Sequence, residues 1–277
     1  MISKHIDIDD MRIHYLEAGD PGAQPLLLLH GIARCAHAFD HLAPRFAERY
    51  RVLAIDLRGH GDSGWDAGGH YLVEDYVRDV EGLIDELGLK HLVLWGNSTG
   101  GRVAQMIAGR HPELVRAVIV EDVGPERPKE ISNRRASRMG AEEDGWASRD
   151  ELLAKVRADN PRWLEPVARH LVEHAARVRE DGRAVWKRDP AILKGFVPTE
   201  LWETVKKIRA PIVYILGGAS TIVPQHTQDE LKAALPQAEI VTMPGLGHYP
   251  SDEDPEQFLQ IVDDFLQDTK REARNAK

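Results

Sequence analysis

The feature that most constrains the fold is a regular alternation of short apolar segments with amphipathic helical segments along the chain. The runs at 26–29 and 51–56 are short and mainly aliphatic, as is typical of strands buried on both faces of a sheet. Val73 to Leu87 predicts a helix, because its apolar residues recur at helical spacing and Gly88 follows as a stop. Strands that alternate with helices of about ten to fifteen residues indicate βαβ units. The sequence therefore predicts an α/β fold with a mostly parallel sheet and helices on both faces.

The alternation is interrupted once. It stops at Gly124-Pro125 and resumes with a strand at 211–216, and the residues in between show no strand pattern and are rich in Arg, Glu and Trp. We interpret this organisation as one core domain formed by 1–124 and 206–277, with a helical lid over 125–205 inserted into it. The remaining predicted elements are a hairpin over 4–17, strands at 91–96, 115–122 and 238–243, and helices at 38–48, 99–110, 225–235 and 256–268.

Composition and charge argue against several classes of partner. The net charge of −9 disfavours nucleic acid as a ligand, and no apolar run approaches the ~18 residues that a membrane span requires. The amino-terminal segment lacks the apolar centre of a secretory signal. Cys35 is the single cysteine, so an intrachain disulfide is impossible, which suits a reducing compartment. We therefore expect a cytoplasmic protein that acts on a small molecule, with no nucleic-acid or membrane partner; the sequence is compatible with a homodimer.

The most specific motif is the segment 96–101 (GNSTGG), which lies between a predicted strand and a predicted helix. A serine on a tight strand-to-helix turn crowds the residues two positions before and after it, so those must be glycine, as Gly96 and Gly100 are. Such a turn exposes the hydroxyl above the sheet and makes Ser98 a candidate nucleophile. The N–H of Thr99, at the start of the helix, is then a candidate donor to an oxyanion. A glycine-rich helix start with an incidental serine is the alternative, but the position directly after a buried strand favours a nucleophile.

Two further segments complete a candidate active site. His30-Gly31 ends an earlier strand, and the glycine permits a close turn in which the N–H of Ile32 is a second oxyanion donor. We also expect His30, Gly31 and Arg34 to lie against the substrate. His248 follows the last predicted strand in a loop rich in glycine and proline. From there it can reach over the carboxyl ends of the strands as the acid–base partner of the serine.

Four segments occur in an order and at separations typical of one protein family: His30-Gly31, 56–63 (DLRGHGDS), 96–101 and 245–250 (GLGHYP). In these segments the chain resembles the α/β-hydrolase superfamily, over nearly its whole length. The resemblance implies an eight-stranded, mostly parallel sheet with an inserted lid, and a mechanism that needs neither a cofactor nor a metal. It also implies that Ser98 is the nucleophile, His248 the base, and Ile32 and Thr99 the oxyanion donors. The serine distinguishes the chain from the dehalogenases and epoxide hydrolases of the superfamily, which carry aspartate at that position.

One position departs from the superfamily pattern. The usual Gly-x-x-Asp-x-x-x-Pro, whose Asp is the triad acid, reads GGASTIVP at 217–224 and has Ser220 in place of the acid. A neutral hydroxyl cannot stabilise the imidazolium that forms when histidine takes the serine proton. Some members of the superfamily take the acid from the end of the preceding core strand. We favour Asp122 at that position, with Glu121 as the alternative; because their side chains leave opposite faces of the strand, only one can serve. A carboxylate that caps the start of the lid is the other interpretation of Asp122.

The predicted lid is rich in arginine, although the chain is acidic overall. Arginine binds carboxylates bidentately, so Arg134 and Arg138, four residues apart, are candidate contacts for an anionic substrate. The alternative is that these arginines pair with glutamates on a solvated lid surface. The tryptophans of this region could line an apolar pocket or pack the lid onto the core.

The leading functional prediction is a serine hydrolase that cleaves a carboxylic ester, lactone or amide of a small molecule through an acyl-enzyme. Two alternatives stay open. One is hydrolysis of a carbon–carbon bond in a ring-fission product, which uses the same triad. The other is a ligand receptor or weakened hydrolase, suggested by Ser220. Intact Ser98 and His248 argue against the receptor.

Overall fold

The computed structural model describes residues 1–126, 144–193 and 199–275. Its strands, in chain order, are β1 (Ile2–Ile8), β2 (Met11–Ala18), β3 (Pro25–Leu29), β4 (Arg51–Ile55), β5 (Leu92–Asn97), β6 (Val115–Glu121), β7 (Ala176–Val178), β8 (Ala184–Trp186), β9 (Ile212–Gly217) and β10 (Ala238–Met243). An eight-stranded sheet has the order β1-β2-β4-β3-β5-β6-β9-β10. The pairs β1–β2 and β2–β4 are antiparallel and the other neighbours are parallel. The predicted α/β fold with a mostly parallel sheet is confirmed.

Helices cover both faces of the sheet. In chain order they are α1 (Pro44–Ala47), α2 (Val73–Glu86), α3 (Thr99–Arg110), α4 (Arg149–Asp159), α5 (Glu165–Ala175), α6 (Trp202–Val205), α7 (Gln225–Ala234), α8 (Pro250–Glu253) and α9 (Pro255–Asn275). The leucines at 26–29 are fully buried and alternate between the two faces. Val77 of α2 and Val103 of α3 belong to the core on one face, and Phe46 of α1 and Phe258 of α9 to the core on the other. The apolar character of β3 follows from this burial on both sides.

Two helices differ from the sequence prediction. The predicted helix 38–48 is split into a 3₁₀ turn at Ala36–Phe39 and the short α1. The cause is Pro44, which lacks an N–H and is favourable only in the first turn of a helix. The last helix, expected to end at residue 268, runs to Asn275, because the residues beyond 268 are mainly good helix formers.

The prediction that residues 125–205 contain no strand is wrong. β7 and β8 form an antiparallel hairpin. In its turn, the N–H of Arg179 donates to the carbonyl of Arg183 at 2.9 Å, and Gly182 adopts a φ of 82°. Strands this short give no readable period-two pattern, whereas glycine supplies the left-handed conformation that the turn requires.

The segment inserted between β6 and β9 begins and ends at one hydrogen-bonded point, the neck, formed by Arg102, Gly124, Pro125, Thr199 and Leu201. The N–H of Leu201 donates to the carbonyl of Pro125 at 3.0 Å. Nη1 of Arg102, on α3, donates to the carbonyls of Gly124 and Pro125 at 3.2 and 3.0 Å, and Nη2 donates to that of Thr199. Arg102 is 2% exposed, and burial lowers its pKa to about 10. One buried side chain therefore binds both ends of the inserted segment.

The inserted segment packs on the loop that follows β3. Leu171 and Val172 of α5 share a buried cluster with Cys35 and Ala38 of that loop. This contact lies at the carboxyl ends of the parallel strands, where the predicted site residues are. The division into a core domain and a lid stays a prediction. No helix in the described parts of the chain combines the length and the apolar character needed to cross a bilayer.

Candidate active site

Ser98 occupies a strained turn between β5 and α3. Its φ and ψ are 50° and −115°, which residues with a side chain rarely adopt. A Cβ on Gly96 would lie 2.3 Å from the carbonyl carbon of Gly100, and one on Gly100 would lie 2.0 Å from the carbonyl oxygen of Leu29. Glycine is therefore required at both positions, as the sequence predicts. The sequence predicts an exposed hydroxyl, but Ser98 is only 1% exposed because the surrounding loops cover it.

Asp122 and His248 form a close carboxylate–imidazole pair. Oδ2 of Asp122 lies 2.7 Å from Nδ1 of His248. The carboxylate also accepts hydrogen bonds from the N–H of Gly217 at 3.0 Å and from Oγ of Ser220 at 2.5 Å. The side chain of Asp122 is 1% exposed and that of His248 13%. Because Nδ1 faces the carboxylate, Nε2 is the ring nitrogen turned away from it, the orientation that a histidine base requires.

Three of the five described non-glycine residues with a positive φ lie at this edge of the sheet. They are Ala33, Ser98 and Asp122, at 67°, 50° and 45°. Each such residue costs about 1–3 kcal/mol, so the surrounding structure must hold it. The N–H of Ser98 donates to the carbonyl of Glu121 at 3.1 Å, and that of Asp122 to the carbonyl of Ile215 at 3.0 Å. Neighbouring strands thus fix the backbone that carries the serine and the carboxylate.

The loop after β3 lies directly against the serine. A Cβ on Gly31 would lie 3.0 Å from Cβ of Ser98 and 2.7 Å from Oδ1 of Asn97, so a larger residue would push the loop away. Ile32 follows at once in the chain and is 9% exposed. Thr99 is the first residue of α3, whose first N–H groups have no partner within the helix. The two predicted oxyanion donors therefore belong to residues next to the serine, Ile32 through the loop contact and Thr99 along the chain.

His30 holds the loop after β3 in place through hydrogen bonds to the backbone. It is fully buried, its Nδ1 donates to the carbonyl of Gly31 at 2.8 Å, and its Nε2 accepts from the N–H of Leu57 at 3.1 Å. Burial lowers the pKa of His30, which favours the neutral ring that these two bonds require. With both nitrogens bonded to the backbone, His30 positions the loop, whereas the sequence suggested a substrate contact.

Arg34 is likewise paired inside the protein. It is 6% exposed and forms a bidentate pair with Asp252 of α8, in which Nη2 lies 3.0 Å from Oδ1. Its guanidinium carbon lies 5.2 Å from the ring centre of Trp163 and 4.9 Å from that of Tyr249. Burial by itself lowers the pKa of Arg34, but the attraction of Asp252 outweighs it and holds the pKa above its ordinary value. Asp252 already neutralises the charge of Arg34, whereas the sequence suggested a substrate contact. Through these contacts Arg34 connects the loop after β3 to the loop of His248 and to the inserted segment.

Glu121, the alternative acid, faces another partner. Its Oε1 accepts hydrogen bonds from the N–H and Oγ of Ser251 at 3.1 and 2.7 Å. The residue is fully buried, and burial, followed by repulsion from Asp252, raises its pKa to about 7. Asp122, the residue directly after β6, is the one bonded to His248. The two side chains thus have different partners, although Asp122 lies beyond the end of the strand and has a φ of 45°.

The predicted substrate contacts Arg134 and Arg138 lie outside the described residues. Three tryptophans described in the inserted segment, Trp146, Trp163 and Trp186, pack against aromatic neighbours, whereas Trp202 packs against the core. Ring centres are 6.0 Å apart for Trp146 and Trp186, and 5.0 Å apart for Trp163 and Tyr249.

Sequence reasoning missed the part played by Ser220. Its Oγ donates to Asp122 and accepts a hydrogen bond from the N–H of Ile222 at 3.2 Å. The position that usually holds the acid therefore holds a donor to a carboxylate on the neighbouring strand, β6, which pairs with β9. No short pattern in the sequence signals this contact, because Ser220 and Asp122 lie 98 positions apart. Sequence reasoning also missed Ser251, the partner of Glu121, and Asp252, the partner of Arg34. Their signal in the sequence was two polar residues shortly after His248.

Residues 26–261 match the Alpha/beta hydrolase family, and the chain belongs to that family. It is 28% identical to the sn-1-specific diacylglycerol lipase ABHD11 of Mus musculus, an alignment that covers 95% of this chain and 88% of the relative. It is 26% identical to the 2-(acetamidomethylene)succinate hydrolase of Mesorhizobium japonicum, with 96% and 95% covered. The crystal structure of E-2-(acetamidomethylene)succinate hydrolase has a TM-score of 0.87 to this chain at 26% identity, and the match covers 96% of this chain and 99% of that one. These relatives are hydrolases, which supports hydrolase activity for this chain.

Proposed function

We propose that the protein is a serine hydrolase that cleaves a carboxylic ester, lactone or amide of a small molecule through an acyl-enzyme. The observation that carries the proposal is the 2.7 Å contact between Asp122 and His248 at the sheet edge that holds the strained Ser98. A carboxylate at Nδ1 keeps the proton there and leaves Nε2 to accept the proton of the serine. The contact also weighs against a weakened hydrolase, because the acid missing at residue 220 is supplied by the adjacent strand.

In the proposed reaction, Oγ of Ser98 attacks the carbonyl carbon while Nε2 of His248 accepts its proton. The N–H groups of Ile32 and Thr99 donate to the oxyanion that forms. His248 then gives the proton to the leaving alcohol or amine, and the acyl group stays on the serine. A water molecule, deprotonated by the same nitrogen, attacks the acyl-enzyme, and His248 returns that proton to Oγ of Ser98 as the acid is released. Asp122 stabilises the imidazolium that forms in each step.

Covalent labelling and burst kinetics test this proposal. A fluorophosphonate should label Ser98 and no other serine, because only an activated hydroxyl attacks its phosphorus. With p-nitrophenyl esters of varied acyl length, the native protein should give a burst of p-nitrophenol followed by slower turnover. Ser98→Ala should lower kcat by roughly 10³-fold or more while the circular dichroism spectrum stays native.

Ser148→Ala is the matched control, since this serine caps α4 in the inserted segment and should leave turnover unchanged. Labelling at Ser220, or near-native turnover by Ser98→Ala, would overturn the assignment. A fully folded native protein that shows neither burst nor labelling would favour a receptor.

A further inference from the structure

Four potential metal ligands meet between the loop after β3 and helix α5 of the inserted segment. The ligand atoms of His37, Asp40, His170 and His174 all lie within 4.8 Å of one another. Nδ1 of His37 and Nε2 of His170 lie 2.7 and 2.8 Å from the same Oδ2 of Asp40. The rings of His37 and His174 are stacked, with their centres 3.8 Å apart. Three imidazoles and one carboxylate therefore converge on one small volume.

The cluster is built from two pairs on two elements. His170 and His174 are four residues apart on α5, so they lie on the same face of the helix, one turn apart. His37 and Asp40 are three residues apart at the 3₁₀ turn Ala36–Phe39, where side chains with this spacing are superposed. Ligand pairs at these spacings on facing elements are a common way to build metal sites. This arrangement arises only because the inserted segment packs on the core.

We propose that His37, Asp40, His170 and His174 bind one divalent ion of the zinc class, which joins the inserted segment to the core. A set of three imidazoles and one carboxylate suits Zn²⁺ and similar ions, whereas Ca²⁺ and Mg²⁺ prefer oxygen ligands. Zn–N bonds of about 2.0–2.1 Å place the ligands of a tetrahedral ion roughly 3.3 Å apart. The present ligand-atom separations extend from 2.7 Å to at most 4.8 Å, a range that includes this spacing.

The cluster is accessible to an ion from solvent. Its four residues are partly exposed, and His37, Asp40 and His170 line a pocket of 310 Å³.

The site would act on structure and not on the bond cleavage. Arg34, which lines the same pocket, belongs to the loop that carries the proposed oxyanion donor Ile32. An ion bound to the four ligands would hold α5 against that loop. The proposed hydrolysis requires no metal, and this ion takes no part in it.

Metal titration of the full-length protein after chelator treatment tests the proposal. Isothermal titration with Zn²⁺ should show a single site. Co²⁺ should give the intense visible absorption of four-coordinate cobalt. His170→Gln and Asp40→Asn should each weaken Zn²⁺ affinity by at least about tenfold, since loss of a residue that only supports a ligand already costs about 10- to 100-fold. His41→Gln is the matched control, because it removes another imidazole from the same pocket and should leave the affinity unchanged.

Thermal unfolding gives a second readout of the link between the two elements. Zn²⁺ should raise the Tm of the unmutated protein, because an ion that binds only the folded state stabilises it. It should leave the Tm of His170→Gln/His174→Gln unchanged, because this variant lacks two of the four ligands. Absence of binding, binding retained by the double variant, or a preference for Mg²⁺ would overturn the proposal. If the double variant does not fold, the Co²⁺ spectrum of Asp40→Asn decides. These readouts do not depend on hydrolysis, so they stand whether or not Ser98 is the nucleophile.

Discussion

At the scale of single residues, the notable feature is that the carboxylate bonded to His248 follows β6, whereas residue 220, where the superfamily pattern has an acid, is a serine. β6 and β9 are adjacent and parallel, and neighbouring strands lie about 4.8 Å apart. A carboxylate at the end of either strand can therefore approach the same ring nitrogen. Ser220, at the end of the strand that lacks the acid, donates a hydrogen bond to the carboxylate on the other strand. The proposed acid is thus held by both strands.

Substitutions should separate the roles of these two residues. Asp122→Asn keeps the shape but removes the charge and disturbs the tautomer of His248, so kcat should fall by up to about 10⁴-fold. Ser220→Ala removes one hydrogen bond to a charged group, worth about 1.5 kcal/mol, so kcat should fall by roughly tenfold. Steady-state kinetics with a p-nitrophenyl ester measures both effects.

Two further variants control this comparison. Glu121→Gln should cost far less activity than Asp122→Asn, because Glu121 bonds to Ser251 and not to the imidazole. Ser220→Asp should partly restore the activity of the Asp122→Asn enzyme by returning a carboxylate to the usual strand. A loss in Glu121→Gln that equals the loss in Asp122→Asn would contradict the assignment.

At the scale of elements, the neck shows how an α-helix of the core secures the inserted segment. The guanidinium of Arg102 donates hydrogen bonds to carbonyl groups at both ends of that segment. Gly124 and Pro125 are buried, and Thr199 is partly exposed. Helix α3, which packs on the sheet, therefore also holds the two ends of the inserted segment together.

Arg102→Leu should lower the free energy of unfolding by about 2–4 kcal/mol, because it leaves the carbonyls of Gly124 and Thr199 without this donor and removes one of the two donors to the carbonyl of Pro125. Arg110→Ala on the same helix should change it by no more than about 0.5 kcal/mol, since this side chain is 39% exposed and lies 3.6 Å from Glu81. Urea unfolding curves measure both values. Equal losses in the two variants would show that Arg102 contributes no more than a surface residue.

At the scale of the whole molecule, Glu121 should make stability depend on pH. In the unfolded chain this carboxyl has its ordinary pKa of 4.5, whereas burial raises its pKa to about 7 in the native state. Between these values the native state retains a proton that the unfolded state has lost. The contribution of Glu121 to stability therefore falls as pH rises from about 4.5 to about 7, and stays low above that.

The difference in unfolding free energy between Glu121→Gln and the native protein should thus shift in favour of the variant between pH 5 and pH 8. Urea unfolding at several pH values measures this difference. Glu239→Gln, on the exposed side of β10, is the control and should show no such shift. A pH-independent difference for Glu121→Gln would mean that the carboxyl titrates alike in both states.

What the sequence could predict depended on how local the physical cause is. The turn at Ser98 was predictable because its strain demands glycine at fixed offsets, Gly96 and Gly100. The hydrogen bond between Ser220 and Asp122 joins residues 98 positions apart, and no short pattern encodes such a contact. The same holds for the pair of Arg34 and Asp252, 218 positions apart. The hairpin of β7 and β8 was not predicted, although it is local in sequence, because each strand is too short for a period-two pattern to show.

The neck also bears on how a protein of this kind changes over evolutionary time. Because Pro125 and Leu201 are hydrogen-bonded to each other, the chain between them starts and finishes at the same place. Each doubling of the length of such a closed stretch costs only about 0.6 kcal/mol in closure entropy. Insertions and deletions there need not disturb the register of β6 and β9, so this stretch can diverge in length and composition while Ser98, Asp122 and His248 keep their positions. Descendants of one ancestor can in this way acquire different substrate preferences without rebuilding the catalytic machinery.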